Sequence, residues 1–315
     1  MLDTYGRAIT YLRMSVTDLC NLRCRYCMPA EGVCKRTHEE MLTEDEMIMA
    51  VRAAAGLGVT KLRITGGEPL VKKNIISICE RAAKVDGIEE VCITTNGILL
   101  PKYAKELVGA GVRHINISLD TVNAEKYAEM TRIGNIKDSM AGFEAALEAG
   151  FETVKLNSVL IAGFNDDEIG AIAELSVKYP VDVRFIELMP MVEGAFSRDA
   201  YISCERVIAV LPGLESVGSD GVARMYRLPG AKGRVGLISP VSAHFCAECN
   251  RLRLTADGRL KPCLHSPAEY PIKGLTEDEM KKVMEEAIMA KPAQHPPLGF
   301  DSLSKAGRSM NRIGG

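Results

Sequence analysis

The chain reads as an α/β protein built on a curved, partly closed (β/α) barrel of six units, with a C-terminal extension of different character. Two observations predict the barrel. From residue 9 to about 190, short β-branched runs alternate with helical patterns, as repeated βα units and a parallel sheet require. Polar segments rich in Gly, Asn and Pro fall at the C-terminal ends of the candidate strands, the face on which an α/β barrel carries its chemistry. A flat doubly wound sheet obeys the same alternation. A third observation marks where the barrel stops: after Pro190 the βα rhythm gives way to Gly and Pro punctuation. The expected division is 1–190 for the partial barrel and 191–315 for the extension, packed as one unit.

In chain order the candidate strands are Ile9–Val16, Thr60–Ile64, Val91–Thr94, His114–Ser118, Thr153–Leu160 and Val183–Leu188. Between them lie amphipathic stretches such as Thr43–Leu57, Leu70–Val85 and Asp166–Lys178; Ile169, Ile172 and Leu175 recur at helical spacing in the last. Thr43 followed by Glu46 is a capping box for the first. The polar strand ends are Thr65-Gly66-Gly67-Glu68-Pro69, Thr94-Thr95-Asn96-Gly97, Ser118-Leu119-Asp120 and Glu187-Leu188-Met189-Pro190. Each alone is equally well explained as a turn that needs those residue types. Leu211–Gly236 reads as short antiparallel pieces, and the alternation around Asp257-Gly258 predicts a hairpin that joins Cys249 to Cys263. A last helix is expected over Glu277–Met289, before the Pro-rich Lys291–Leu298.

The bulk properties exclude several classes. Hydrophobic residues make up 47% and charged residues 25%, an ordinary globular balance without a disorder signature. A net charge of −2 gives no basic field for nucleic acid, so any anion site must be built from a few local Lys and Arg. The start MLDTYGRAIT lacks a signal-peptide pattern, and no run of about 18 apolar residues suggests a membrane span. These features read as a cytoplasmic protein.

Ten cysteines are present, and six form two triads: Cys20, Cys24 and Cys27 near the start, Cys246, Cys249 and Cys263 near the end. In a reducing cytosol such clusters point to metal rather than disulfides. Three thiolates suit a four-iron cluster with one open iron. A structural zinc wants a fourth ligand, and near the first triad only His38 is in view, beyond an intervening loop. For the second, His244 or His265 could complete a Cys₃His zinc site, so spacing alone leaves zinc and Fe–S open. Cys34, Cys79, Cys92 and Cys204 stand alone and read as small buried hydrophobes.

Cys20-x-x-x-Cys24-x-x-Cys27, directly after the first strand, resembles the signature of the radical S-adenosylmethionine superfamily. The resemblance implies a 4Fe-4S cluster whose open iron binds S-adenosylmethionine and splits it to a 5′-deoxyadenosyl radical. It also implies that Gly66-Gly67-Glu68-Pro69 serves the methionine amino group, and that Tyr26, Gly67, Ser118 and Met189 line the cofactor.

Taken with the second triad, the Arg13-Met-Ser-Val-Thr17 start and the Gly314-Gly315 end, the whole chain resembles the GTP 3′,8-cyclases that begin molybdenum cofactor biosynthesis. That resemblance implies an incomplete (β/α)₆ barrel and a second 4Fe-4S cluster, on Cys246, Cys249 and Cys263, that holds the guanine. The matching GTP contacts are Arg13, Arg63, Thr94, Lys155, Arg251, Leu252 and Arg253, with Arg184 unassigned. Arg forks and a Lys ammonium suit a triphosphate. By sequence alone the Gly-Gly end reads as a frayed terminus. By resemblance it enters the cavity and assists the radical step, so that Arg251, Arg253, Gly314 and Gly315 would act in catalysis. The implied reaction removes H-3′ from GTP and closes C3′ onto C8. The implied partners are an external one-electron reductant and a downstream cyclic pyranopterin synthase, and a homodimer is left open. The competing readings are a radical enzyme acting on a peptide or RNA, and a non-catalytic zinc or electron-carrier protein.

Overall fold

The structure, a computed structural model, describes residues 1–33, 36–191, 198–299 and 303–314. Six strands run in chain order: β1 Tyr11–Ser15, β2 Lys61–Thr65, β3 Glu90–Thr95, β4 Val112–Ser118, β5 Thr153–Leu160 and β6 Asp182–Glu187. Each pairs in parallel with the next. The connecting helices are α1 Glu44–Ala55, α2 Ile75–Ala83, α3 Leu100–Gly109, α4 Ala124–Thr131, α5 Ile136–Ala149 and α6 Ile169–Lys178. The predicted helix over Leu70–Val85 is interrupted. Pro69 opens a short 3-10 turn that ends at Val71, and α2 starts only at Ile75. Around α1 the capping box forms as its sequence predicts: Thr43 Oγ1 accepts the Glu46 N–H, and Glu46 accepts the Thr43 N–H.

The extension contributes α7 Glu205–Val210, β7 Glu215–Asp220, β8 Ala223–Arg227, β9 Arg234–Ile238, β10 Arg251–Leu254, β11 Arg259–Lys261, β12 Tyr270–Pro271 and α8 Glu277–Met289. Among the described residues all strands join one sheet in the order β12-β11-β10-β1-β2-β3-β4-β5-β6-β9-β8-β7. The hairpin forms as expected, with β10 and β11 antiparallel. Less expected is how it docks: β10 adds to β1 in parallel, and β9 adds to β6 in parallel. Eight adjacent strands, from β10 through β9, thus pair in parallel among the described residues, and no sequence pattern announced the two outer ones because neither is linked to its neighbour by a βα unit.

Along the strands a two-residue alternation separates two environments. Leu12, Met14, Leu62, Ile64, Ile93, Ile115, Leu156, Val183 and Leu252 point to the helices and join a core with Met47, Val51, Ile78 and Ile172. The other face presents Tyr11, Arg13, Arg63, Thr94, Asn116, Lys155, Arg184, Arg251 and Arg253. An α/β barrel interior is ordinarily packed with branched apolar side chains; this one is polar and cationic.

The loop after β3, which carries Asn96, is seated by a close backbone approach: a Cβ on Gly142 of α5 would meet the Gly97 carbonyl oxygen at 1.9 Å. Ser139 of the same helix donates its hydroxyl to the Asn96 carbonyl at 2.9 Å. We expect Gly142→Ala to destabilise the chain by about 1–3 kcal/mol, measured by denaturant unfolding, with Gly170→Ala, which meets nothing within 4 Å, as the neutral control.

Candidate active site

The first triad sits in the loop after the C-terminal end of β1. That loop is held from two sides. The N–H groups of Arg23 and Arg25 donate to the Thr131 and Met130 carbonyls at the end of α4, and Arg132, at φ 65, donates from its guanidinium to the Arg23 and Met28 carbonyls. On the other side, Gly67 N–H donates to the Thr17 carbonyl and Glu68 N–H to the Leu19 carbonyl. A Cβ on Gly67 would lie 2.4 Å from the Leu19 oxygen, so the second glycine of the pair is needed for close backbone approach. The buried Glu68 carboxylate accepts from Thr95 Oγ1, Leu70 N–H and Asn96 N–H at 2.7, 3.0 and 2.7 Å. Burial outweighs these donors and pushes its pKa up to about 7.

Hydrogen-bond donors converge on the thiols. Leu22 N–H reaches Cys20 Sγ at 3.3 Å, with Asn96 Nδ2 at 3.9 Å. Asn311 N–H donates to Cys27. Burial still raises Cys20 to about 11 and Cys27 to about 12. Tyr26 donates its hydroxyl to Asp120 Oδ2 at 2.8 Å, and burial lifts Asp120 to about 6. Ser118 closes β4 nearby, in register with Asn157.

Below this loop, toward the N-terminal ends of the strands, lies a row of guanidinium groups. The sheet register sets Arg253, Arg13 and Arg63 side by side on β10, β1 and β2. Tyr11 shares their face: its hydroxyl accepts from Arg63 Nε at 2.5 Å and from Arg13 Nη1 at 3.4 Å. Burial would raise that phenol, but Arg63, Arg13 and Arg251 bring it down to about 8. Burial, then Arg13 and Arg251, lower Arg253 to about 9. Thr94 accepts from Arg63 Nη1 at 3.3 Å. Lys155 is not part of this row; it stands on β5 and pairs with Asp220 at 2.7 Å. Leu252 is in the core, on the opposite face from Arg251 and Arg253.

The second triad flanks the hairpin. Cys246 and Cys249 precede β10, and Cys263 follows β11. Burial raises Cys249, but Lys291 and Arg251 outweigh it, and its pKa is lowered. Lys291 Nζ also holds the Arg251 and Pro262 carbonyls at 2.9 and 2.7 Å. Arg251 lies over the Phe245 ring, 5.1 Å from its centroid. His265 packs on the His295 ring at 4.8 Å and its Nδ1 meets Ser304 Oγ at 2.9 Å; His244 also packs on His295, at 5.3 Å. These histidines form a ring cluster beside the triad.

The C-terminal segment corrects the frayed-end reading. Arg308 is clamped by Asp257 and Glu269 at 2.5–3.0 Å. Asn311 Nδ2 donates to the Asp18 carbonyl at 3.2 Å. Gly314 accepts from Arg253 Nη1 at 3.0 Å, at φ 79 and in a gap so narrow that a Cβ would lie 2.5 Å from Thr65 Oγ1. Met189 packs against a cluster of Met191 with Ala306 and Ile313 of this segment, as does Met310. Gly315 lies outside the described residues, as does Cys34. Cys79, Cys92 and Cys204 are buried, as expected.

A family model described as "Radical SAM superfamily" matches residues 14–176, and one described as "Molybdenum Cofactor Synthesis C" matches 181–297. Proteins named GTP 3′,8-cyclase from Alkaliphilus oremlandii and Alkaliphilus metalliredigens are 48% and 46% identical over the full length of both chains. The chain belongs to the GTP 3′,8-cyclase family of radical S-adenosylmethionine enzymes. At 13–14% identity, Streptococcus suis SuiB (TM-score 0.65; 91% of this chain, 67% of that one) and anSMEcpe with bound AdoMet (TM-score 0.59; 92% and 80%) share its fold.

Membership of the superfamily implies an Fe–S cluster and S-adenosylmethionine, and the first triad fits. Among the described residues no three His, Cys, Asp or Glu side chains are close enough for a single metal ion. Yet burial and then Cys27, Asp120 and Cys20 raise the pKa of Cys24, so the thiols share one field. One zinc would hold thiolates roughly 4 Å apart, given Zn–S bonds of about 2.3 Å; a cluster spreads them over separate irons. The N–H donors aimed at sulfur are those that stabilise cluster ligands. Around these residues the structure adds contacts from Tyr11, Asp220, Lys261, Lys291 and Arg308, which the sequence did not single out; Arg184, unassigned from the sequence, stands on β6 and donates to Asp220.

In this cyclase-family chain the tail's fit depends on a missing side chain. Gly314→Ala is expected to eject the tail and to speed carboxypeptidase removal of the C-terminus at least about tenfold, while Gly299→Ala, whose Cβ meets nothing within 4 Å among the described residues, leaves the rate unchanged.

Proposed function

We propose that this chain converts GTP to 3′,8-cyclo-7,8-dihydro-GTP, the first step of molybdenum cofactor biosynthesis. The supporting observation is one sheet that sets two cysteine triads at opposite ends of a polar interior, with Arg253, Arg13 and Arg63 between them. When bound at Cys20, Cys24 and Cys27, the cluster and S-adenosylmethionine supply reductive cleavage and a hydrogen-abstracting radical.

The residues perform the remaining tasks. Arg13, Arg63 and Arg253 neutralise the triphosphate, with Thr94 as a hydroxyl partner and Lys155 reaching from β5. Tyr11 fixes the Arg13 and Arg63 forks, so their orientation precedes substrate binding. Tyr26, Gly67, Ser118 and Met189 surround S-adenosylmethionine. Cys246, Cys249 and Cys263 would hold a second 4Fe-4S cluster, which would supply binding for the guanine end, and Arg251, stacked on Phe245, lies near Cys249. Gly314 presents backbone alone to the space between and keeps Arg253 in place, and by family resemblance Gly315 acts with it. An external reductant supplies electrons, and the product passes to a cyclic pyranopterin synthase.

Anaerobic incubation of reconstituted protein with GTP, S-adenosylmethionine and a strong reductant is expected to yield 5′-deoxyadenosine and a cyclised guanine nucleotide, from protein holding about eight irons per chain. Absence of either product from fully loaded protein refutes the reading. Cys24→Ala is expected to abolish cleavage of S-adenosylmethionine. Cys249→Ala should retain it while cyclisation falls by about two orders of magnitude; equal loss of cleavage in both would remove the division between the triads.

A further inference from the structure

On the far side of the interior from the arginine row, one carboxylate occupies two inward-facing cations. Asp220 ends β7, and its Oδ2 meets Lys155 Nζ at 2.7 Å and also accepts from Arg184 Nη2. Lys155 and Arg184 are mostly buried, with side chains 13% and 10% exposed, whereas Asp220 is 37% exposed. Burial and then Arg184 lower the pKa of Lys155, and burial, with Arg63 among the nearby cations, lowers that of Arg184; strand parity turns both side chains to the same face as the row. Arg234, 4.0 Å from Asp220, is already held by both oxygens of Asp182 at 2.9 and 2.8 Å. Among the described residues the buried Arg184 Nε has no hydrogen-bond partner, so its fork has capacity that Asp220 leaves unused.

The carboxylate arrives on a detachable element. Among the described residues β7 is the last strand of the sheet, pairs only with β8, and changes register between Ser216 and Ser219. Five of its six residues are exposed. Withdrawing Asp220 therefore disturbs little of the core, whereas withdrawing Lys155 or Arg184 would move a central strand.

We propose that Asp220 is a built-in counter-anion for Lys155 and Arg184 that phosphoryl oxygens of the substrate displace, so that these two cations are delivered only to a ligand with enough phosphate to reach them. The inference rests on the reading of Lys155 as a GTP contact. Carboxylate and phosphate compete for the same donors, and Arg gains most from a partner that engages its fork. Displacement then lowers the apparent affinity for GTP and leaves GMP, which has one phosphoryl group, largely unaffected.

Equilibrium binding to the reconstituted holoenzyme without reductant, where no turnover occurs, tests this with GTP and GMP. Asp220→Asn is expected to tighten GTP about tenfold and to change GMP by less than about twofold; Asp220→Ser, a second variant that removes the charge, should do the same. Lys155→Gln should weaken GTP. If Lys155→Gln weakens GTP but neither Asp220 variant tightens it, the exchange is overturned and the reading of Lys155 stands. If Lys155→Gln leaves GTP binding unchanged, both fall. Equal tightening of GTP and GMP would also overturn the proposal, because it would show a general charge effect rather than exchange at these two cations.

Discussion

Buried like charges are the constraint around which this molecule is arranged. Arg253, Arg13 and Arg63 occupy neighbouring strands in register, and strands lie about 4.8 Å apart. At that spacing, and at an effective dielectric of about 20, adjacent guanidiniums repel by about 3 kcal/mol per pair. Nothing in a −2 protein demands such a row for solubility or for folding. Burial lowers the pKa of Arg253 first, and Arg13 and Arg251 lower it further through this repulsion. A site of this kind favours a polyanion because the ligand removes a penalty that the empty fold carries.

The fold contains that penalty with neutral acceptors rather than carboxylates. Tyr11 offers its hydroxyl oxygen to Arg63 and Arg13, and the Gly314 carbonyl accepts from Arg253. A carboxylate would hold the same forks more strongly and would then have to be displaced. The acidic residues of the tail region are used elsewhere. Asp257 and Glu269 bind Arg308, and Glu269 also meets the buried Lys261, whose ammonium bonds the Ser266 and Ala306 carbonyls. These pairs fix the start of the tail so that Gly314 can enter a narrow space carrying backbone only.

Which parts were legible in the sequence follows from what each signal records. The six βα units are local patterns, and each predicted strand overlaps the observed one; His114–Ser118 merely begins two residues early, at Val112. The hairpin at Asp257-Gly258 and the helix Glu277–Met289 carry equally local marks. The parallel docking of β10 on β1 is a long-range pairing with no turn between its strands, and so it leaves no pattern. For that reason Arg251 and Arg253 could be matched to a function by resemblance while their alignment with Arg13 and Arg63 could not be read. Lys155 shows the converse. Its position on β5 was legible, but its partner Asp220 lies 65 residues away on an edge strand. Leu252 shows the limit of carrying over a contiguous segment: strand parity turns its side chain into the core between two inward arginines.

Direction of pairing also explains why two triads that look alike in the sequence are not interchangeable. Cys20, Cys24 and Cys27 follow the C-terminal end of β1. Cys246 and Cys249 precede the N-terminal end of β10, and the reversal through the hairpin returns Cys263 to that same end. Because β10 and β1 are parallel, the triads lie at opposite ends of the strands, about 15 Å apart along a four- or five-residue run. Had β10 joined antiparallel, both triads would have met at one end and the arginine row would have lain to one side of them. In the observed arrangement the row lies between, and Asn311 and Gly314 span the upper part of the interval, one against Cys27 and Asp18, the other against Arg253. A ligand that bridges the triads must therefore pass the cations and the tail, so a single topological choice, the parallel docking of one short strand, decides what the interior can hold.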